Sequence, residues 1–155
     1  MAFRLYLDVC CLNRPFDDWT QARVRLEAEA ILAVIEKFET HSWELISSTA
    51  LEAEIARTPD PVRRQRLLDS LTIAAQTVWI TERMVDRAND LQNLGFQSFD
   101  ALHIACAEFA KVDALLTTDD RLLRKAMKHR ANLNVEVANP VTWFMAVINS
   151  EVDKE

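Results

Sequence analysis

The chain has 155 residues, half of them hydrophobic and 27% charged, with one glycine, four prolines and a formal net charge of −6. A chain of this length predicts a single compact domain, placed over residues 1–150, that buries roughly two thirds of its unfolded surface, and the composition excludes a disordered or fibrous class. The acidic balance excludes a broad electrostatic grip on nucleic acid, so a nucleic-acid partner would need local basic patches or bound cations.

In chain order, "FRLYLDV" predicts a buried strand ending near Asp8, after which "CCLNRP" passes through a cysteine pair into an Asn-Arg-Pro turn. "TQARVRLEAEAILAVIEKFET" predicts a helix, with Val24, Ala28, Ile31, Leu32 and Ile35 at the spacing of one face. "WELISS" is a second strand and "TALEAEIAR" a short helix with a Thr49-x-x-Glu52 capping box, cut off by Thr58-Pro59 and Asp60-Pro61. Pro61 then opens a helix through "VRRQRLLDSLTIAAQ". "TVWI" is the third strand, "TERMVDRANDLQNLG" a helix stopped by Gly95, and "SFDALHIACAEFAKV" a helix capped by Ser98. "DALLTT" is the fourth strand, "DDRLLRKAMKHR" a basic helix and "LNVEVANP" the fifth strand. A last helix runs from Pro140 to about Asn149, with 151–155 as a frayed tail. Strands separated by helices predict an α/β layer architecture with a mainly parallel sheet and right-handed crossovers.

No apolar run reaches the roughly eighteen residues of a membrane span, and the run after Arg4 is too short for a signal sequence. Cys10, Cys11 and Cys106 are odd in number and two are adjacent, which argues against a disulfide framework and for reduced thiols. The expectation is a soluble, cytoplasmic protein. Trp19, Trp43 and Trp143 are candidates for core packing or for an interface.

Open α/β sheets bind ligands at the carboxyl ends of their strands. Asp8 ends the first strand, Asp119 and Asp120 follow the fourth, Asp100 lies in the first turn of its helix, and Glu52 and Glu54 lie in the helix after the second strand. Singly, Asp100 and Asp119 suit helix N-termini, where a carboxylate contributes about 0.3–1 kcal/mol. A helical wheel puts Glu52 and Glu54 on either side of the Leu51 and Ile55 stripe, so periodicity does not choose between them; the capping role of Glu52 leaves Glu54 unexplained. Jointly, converging carboxylates would raise one another's pKa unless a cation intervened. Mg²⁺ or Mn²⁺, hard ions that take oxygen ligands, answer that need, and phosphodiester hydrolysis is the chemistry that follows. A zinc site from Cys10, Cys11, His103 and Cys106 competes weakly, because adjacent cysteines at a strand end point to opposite faces. His103, one turn after Asp100, reads as a core or hydrogen-bonding histidine, and one glycine cannot build a phosphate-cradling loop.

Four blocks, "YLDVCCLN", "SSTALEAE", "FDALHIACA" and "LLTTDDRLL", together resemble a PIN domain, the nuclease fold common in prokaryotic toxin-antitoxin operons. The resemblance implies a three-layer fold with strand order 3-2-1-4-5, and a metal-dependent ribonuclease site of Asp8, Glu54, Asp100 and Asp119, with Ser48 as the matched serine and Asp120 as the adjacent alternative. Where the family often has Ser, Thr or Asn after its first acid, this chain has Cys10 and Cys11, which leaves Asn13 to supply a polar group. The resemblance also raises Arg14 above Arg63, Arg64, Arg66, Arg121, Arg124, Lys125, Lys128 and Arg130 as a phosphate contact; the alternative for all of them is a solvated helix face. It implies an RNA substrate, an antitoxin that blocks the acidic groove, and a homodimer. The alternative function is a noncatalytic PIN-like module retained for protein association.

Overall fold

The computed structural model describes residues 2–153. Strand β1 (Arg4–Leu7) is central: Leu5, Tyr6 and Leu7 are all fully buried, as a strand covered on both faces requires. Asp8 follows in extended backbone and its carboxylate accepts the Val9 N–H at 2.8 Å, opening the short helix α1 (Val9–Asn13) and then a 3-10 turn, Arg14–Phe16. Five residues are too few to show a helical period, so the sequence pattern does not reveal this helix, which sinks Cys11 and Leu12 into the core.

Helix α2 (Ala22–Glu39) buries Val24, Ala28, Ile31, Val34 and Phe38, whereas Leu32 faces solvent. Strand β2 (Glu44–Ser48) leads directly into α3 (Thr49–Ala56). The cap is Ser48, whose Oγ accepts from the Leu51 N–H at 3.1 Å; Thr49 instead accepts from the Ile80 N–H, so the expected capping box does not form. Helix α4 (Pro61–Ser70) starts on Pro61 but yields to a 3-10 turn at Leu71–Ile73, short of the expected end, and β3 (Gln76–Val78) stops before Trp79, which is 76% exposed. Helices α5 (Glu82–Asn93) and α6 (Ser98–Phe109) pack on each other, Gln97 rather than Ser98 being the residue before α6. Strand β4 (Ala114–Leu116), α7 (Asp120–Lys128), β5 (Glu136–Ala138) and α8 (Pro140–Asp153) complete the chain. Helix α8 thus takes in the first residues of the expected tail, and residues 154 and 155 lie outside those described.

All strand pairs are parallel and the order is β3-β2-β1-β4-β5. Alternation sorts the side chains into two layers of core. Tyr6, Ile46 and Leu115 pack with Met84, Leu91, Ile104 and Leu122 under α5, α6 and α7; Leu5, Leu7, Leu45 and Leu116 pack with Ile31, Val34, Leu67 and Trp143 under α2, α4 and α8. Trp43 and Trp143 are core residues, edge-on to Phe3 and to each other. Since the chain builds β2 and β3 on one side of β1 and β4 and β5 on the other, the strand order reverses between β1 and β4, which opens a crevice at their carboxyl ends.

Gly95 ends the turn between α5 and α6 with φ +107°, and a Cβ there would meet Lys125 Nζ at 3.0 Å. Gly95→Ala is expected to destabilise the protein by about 1–3 kcal/mol. Urea denaturation should show a lower midpoint at unchanged slope; an unmoved midpoint would mean that the turn relaxes without strain.

Candidate active site

The crevice is lined from β1 outward. Asp8 is buried, with Oδ1 on the Val9 N–H and Oδ2 accepting from Thr117 Oγ1 at 2.9 Å and from the Cys10 thiol at 3.4 Å. Glu54, on α3, reaches His103 of α6: Oε1 lies 2.7 Å from Nε2. His103 is fully buried, and its Nδ1 is 2.7 Å from Tyr6 Oη, itself 2.6 Å from Ser48 Oγ. Burial raises the Tyr6 pKa, so the phenol keeps its proton. Ser48, Tyr6, His103 and Glu54 thus form one continuous chain of hydrogen bonds, each group with a partner. One oxygen each of Asp8 and Glu54 and one ring nitrogen of His103 all lie within 4.8 Å of one another.

Asp100 and Asp119 stand outside that tight trio but share one small cleft of about 120 Å³ with Gln97, Arg121 and Lys125. Asp119 caps α7, its Oδ1 accepting the N–H groups of Arg121 and Leu122, and its own N–H donates to Thr117 Oγ1. Thr117 therefore joins Asp8 to Asp119. Burial first, then the charge of Asp8, raise Asp100 to about 7; His103 opposes them, and Asp119 and Glu54 add lesser upward contributions. Among the described residues, none of the four carboxylates forms an ion pair with a lysine or arginine; His103 is their one basic partner. Oxygen-rich, converging and short of counter-charge, the donor set fits a hard divalent cation. A larger cavity of about 790 Å³, lined by α7, β5 and α8, holds Glu136 as its one acid and lies apart from these residues.

Comparison with known proteins bears on this arrangement. The family model described as PIN domain matches residues 6–128. The chain belongs to the PIN domain family. Two solved structures share the PIN fold: FitAcB from Neisseria gonorrhoeae, at 16% identity and TM-score 0.56, covering 88% of this chain and 97% of that one; and VapBC2 from Rickettsia felis bound to a DNA fragment from their promoter, at 12% identity and TM-score 0.54, covering 86% and 98%. No curated protein sequence matches the chain.

The ambiguous acids of this PIN domain separate cleanly. Glu54 faces the crevice while Glu52 is exposed, and Asp119 faces it while Asp120 turns away into a two-pronged pair with Arg23, both contacts at 2.8 Å. Ser48, Asn13 and Arg14, the polar groups that the resemblance adds to the acids, fare differently. Ser48 is fully buried between Tyr6 and the start of α3, so it supports the site and offers no atom to a substrate. Asn13 accepts from Arg63 at 3.4 Å. Arg14 is held between Glu27 and Asp17, each at 3.1 Å, which offsets its charge. The cysteines do not gather: Cys10 points to Asp8 and Thr117, Cys11 to the Leu116 carbonyl, and Cys106 is buried with Ile104 and Ala105 in the other layer of core, so no zinc site forms from them. Two residues escaped the sequence reading. In the sequence Thr117 is one of two threonines at the end of a strand and Glu27 one of several charges along a helix, and neither carries a local signal of its partners.

Because the folded-state pKa of Asp100 is raised, its contribution to stability is present at low pH and is lost as pH rises toward and through about 7. In EDTA, the melting temperature of the wild-type protein should fall between pH 5 and pH 8 relative to that of Asp100→Asn. Parallel pH profiles for the two proteins would show that Asp100 carries no such load.

Proposed function

We propose that this PIN domain is a Mg²⁺- or Mn²⁺-dependent endoribonuclease that serves as the toxin of a toxin-antitoxin pair. The observation that carries this reading is the convergence of Asp8, Glu54, Asp100 and Asp119 at the strand-order reversal, where, among the described residues, none of them is ion-paired with a lysine or arginine. Asp8 and Glu54 would hold the ion, and Asp100 and Asp119 would offer further oxygen donors from the adjoining cleft. The bound ion supplies Lewis-acid chemistry, lowering the pKa of a water and offsetting charge on the phosphate.

The protein's own groups do the rest. The Val9 N–H and Thr117 hydroxyl fix both oxygens of Asp8, and the buried Tyr6–His103 pair fixes Glu54, so these carboxylates are aimed before anything binds. Helix α7 supplies two N–H donors to one oxygen of Asp119. Burial and the neighbouring charge of Asp8 favour the protonated form of Asp100 in the metal-free protein. Arg121 and Lys125 form the cationic wall of the cleft, and Lys125 Nζ is tethered 2.7 Å from the Gly95 carbonyl, which places a positive charge where RNA phosphates would pass. Arg57 lies over the Phe99 ring at 5.3 Å, next to Asp100. This local rim is what an acidic protein needs to hold RNA.

A cleft whose carboxylates, among the described residues, form no ion pair with lysine or arginine is also a receptor for a basic segment of an antitoxin. Exposed Trp79 and Phe109 provide apolar surface for a homodimer. No helix among the described residues is long and apolar enough to cross a membrane.

Purified protein should cleave RNA with Mn²⁺ or Mg²⁺ and lose that activity in EDTA. Asp8→Asn, nearly isosteric, should keep the fold by circular dichroism and lose cleavage by at least a hundredfold, about 2.7 kcal/mol of barrier. Equal cleavage by the variant would place the activity elsewhere, and no cleavage of any RNA by either protein would favour a noncatalytic association module. Separately, Lys125→Gln should weaken RNA binding uniformly across sequences and flatten the slope of log affinity against log salt by about 1, read by fluorescence anisotropy in Ca²⁺. An unchanged slope would take Lys125 off the RNA path.

A further inference from the structure

Glu27 is a carboxylate in the middle of α2 that is only 2% exposed. Burial of a charge is unfavourable unless it is paired, and Glu27 is paired with partners from three segments. Oε1 lies 3.1 Å from Arg14 Nε, at the end of α1, without hydrogen-bond alignment. Oε2 accepts from Arg23 Nε at 3.2 Å, and from Asn139 Nδ2 at 2.7 Å, just after β5. Arg23 extends the network to the loop after β4: its two Nη atoms grip both oxygens of Asp120 at 2.8 Å, and Nη2 also donates to the Thr118 carbonyl at 3.2 Å. Thr118 and Asp120 flank Asp119. The one carboxylate therefore ties together the segments that follow β1, β4 and β5 at the edge where the acids converge.

We propose that Glu27 is a positioning residue for the cation site, acting through Arg23 to hold the Thr118–Asp120 backbone so that Asp119, and not Asp120, faces the crevice. This inference rests on the cation reading of the Asp8 cluster. Geometry excludes a direct role for either residue. Glu27 has no open surface and its oxygens face two guanidinium groups and an amide, while each nitrogen of Arg23 is already engaged. A fork that reaches a buried carboxylate, an exposed carboxylate and a carbonyl at once suits arginine and no other side chain. Removing it frees Asp120 to compete and lets Asp119 drift from Thr117. Outer residues that orient ligating groups typically change metal affinity 10- to 100-fold.

The test is Mn²⁺ affinity measured by electron paramagnetic resonance on wild type, Asp8→Asn, Glu27→Gln and Arg23→Lys, with melting temperatures recorded alongside. Wild type should bind Mn²⁺ and Asp8→Asn should not, while Glu27→Gln and Arg23→Lys should each bind about tenfold more weakly although both remain folded. Arg23→Lys keeps the charge and leaves Glu27 in place, so it still reports if Glu27→Gln fails to fold. Wild-type affinity in Arg23→Lys, or in a folded Glu27→Gln whatever its melting temperature, would overturn the proposal and reduce the network to structural support. Equal binding by wild type and Asp8→Asn would instead overturn the cation site itself.

Discussion

Carboxylates held together in a half-buried crevice repel one another, and most of the local architecture answers that repulsion. Burial first, and then the charge of Asp8, hold Asp100 near 7, above the ordinary carboxylate range. A protein without use for the cluster could relieve it with one lysine. Instead the nearby cations are turned to other partners: Arg23 to Asp120 and Glu27, Arg14 to Glu27 and Asp17, Arg63 to Asp17, Lys125 to a carbonyl. The negative potential in the crevice is thereby preserved, which is the state that attracts a divalent ion.

Holding the acids in place takes a layer of uncharged or mutually compensated groups beneath them. Tyr6 and His103 are core residues by burial, and they make contacts that a wholly apolar core could not. Through them the packing of α6 on β1 sets the direction of Glu54. Thr117 does the same between Asp8 and Asp119 across neighbouring strands. The fold's contribution is therefore not only to bring strand ends together; it also fixes Asp8, Glu54 and Asp119 before any ligand arrives, so less ordering remains to be done on binding.

The network of Glu27 extends this logic to the opposite layer of helices. It joins α2 to three connecting segments through charge-assisted contacts. Such a network favours one geometry over many, since any displaced member leaves a charge without its partner in a poorly solvated place.

By itself the sequence determined the strand and helix alternation, the parallel sheet and the placing of acids just after strands. Those features are written in local signals: apolar runs of strand length, helical spacing, prolines that end or begin helices, and carboxylates placed just after strands. Even the order of the sheet followed from the resemblance of four short blocks. The short helix after Asp8, the true cap of α3 and the end of β3 were decided by tertiary contacts, because segments of three to five residues carry no period. Tertiary structure likewise chose Glu54 over Glu52 and Asp119 over Asp120, neighbours that are chemically equivalent until His103 engages one and Arg23 removes another. It also withdrew Ser48 from the surface and offset the charge of Arg14. A residue's type is local, but its partners come from strands and helices far apart in the chain, and only the folded chain specifies them.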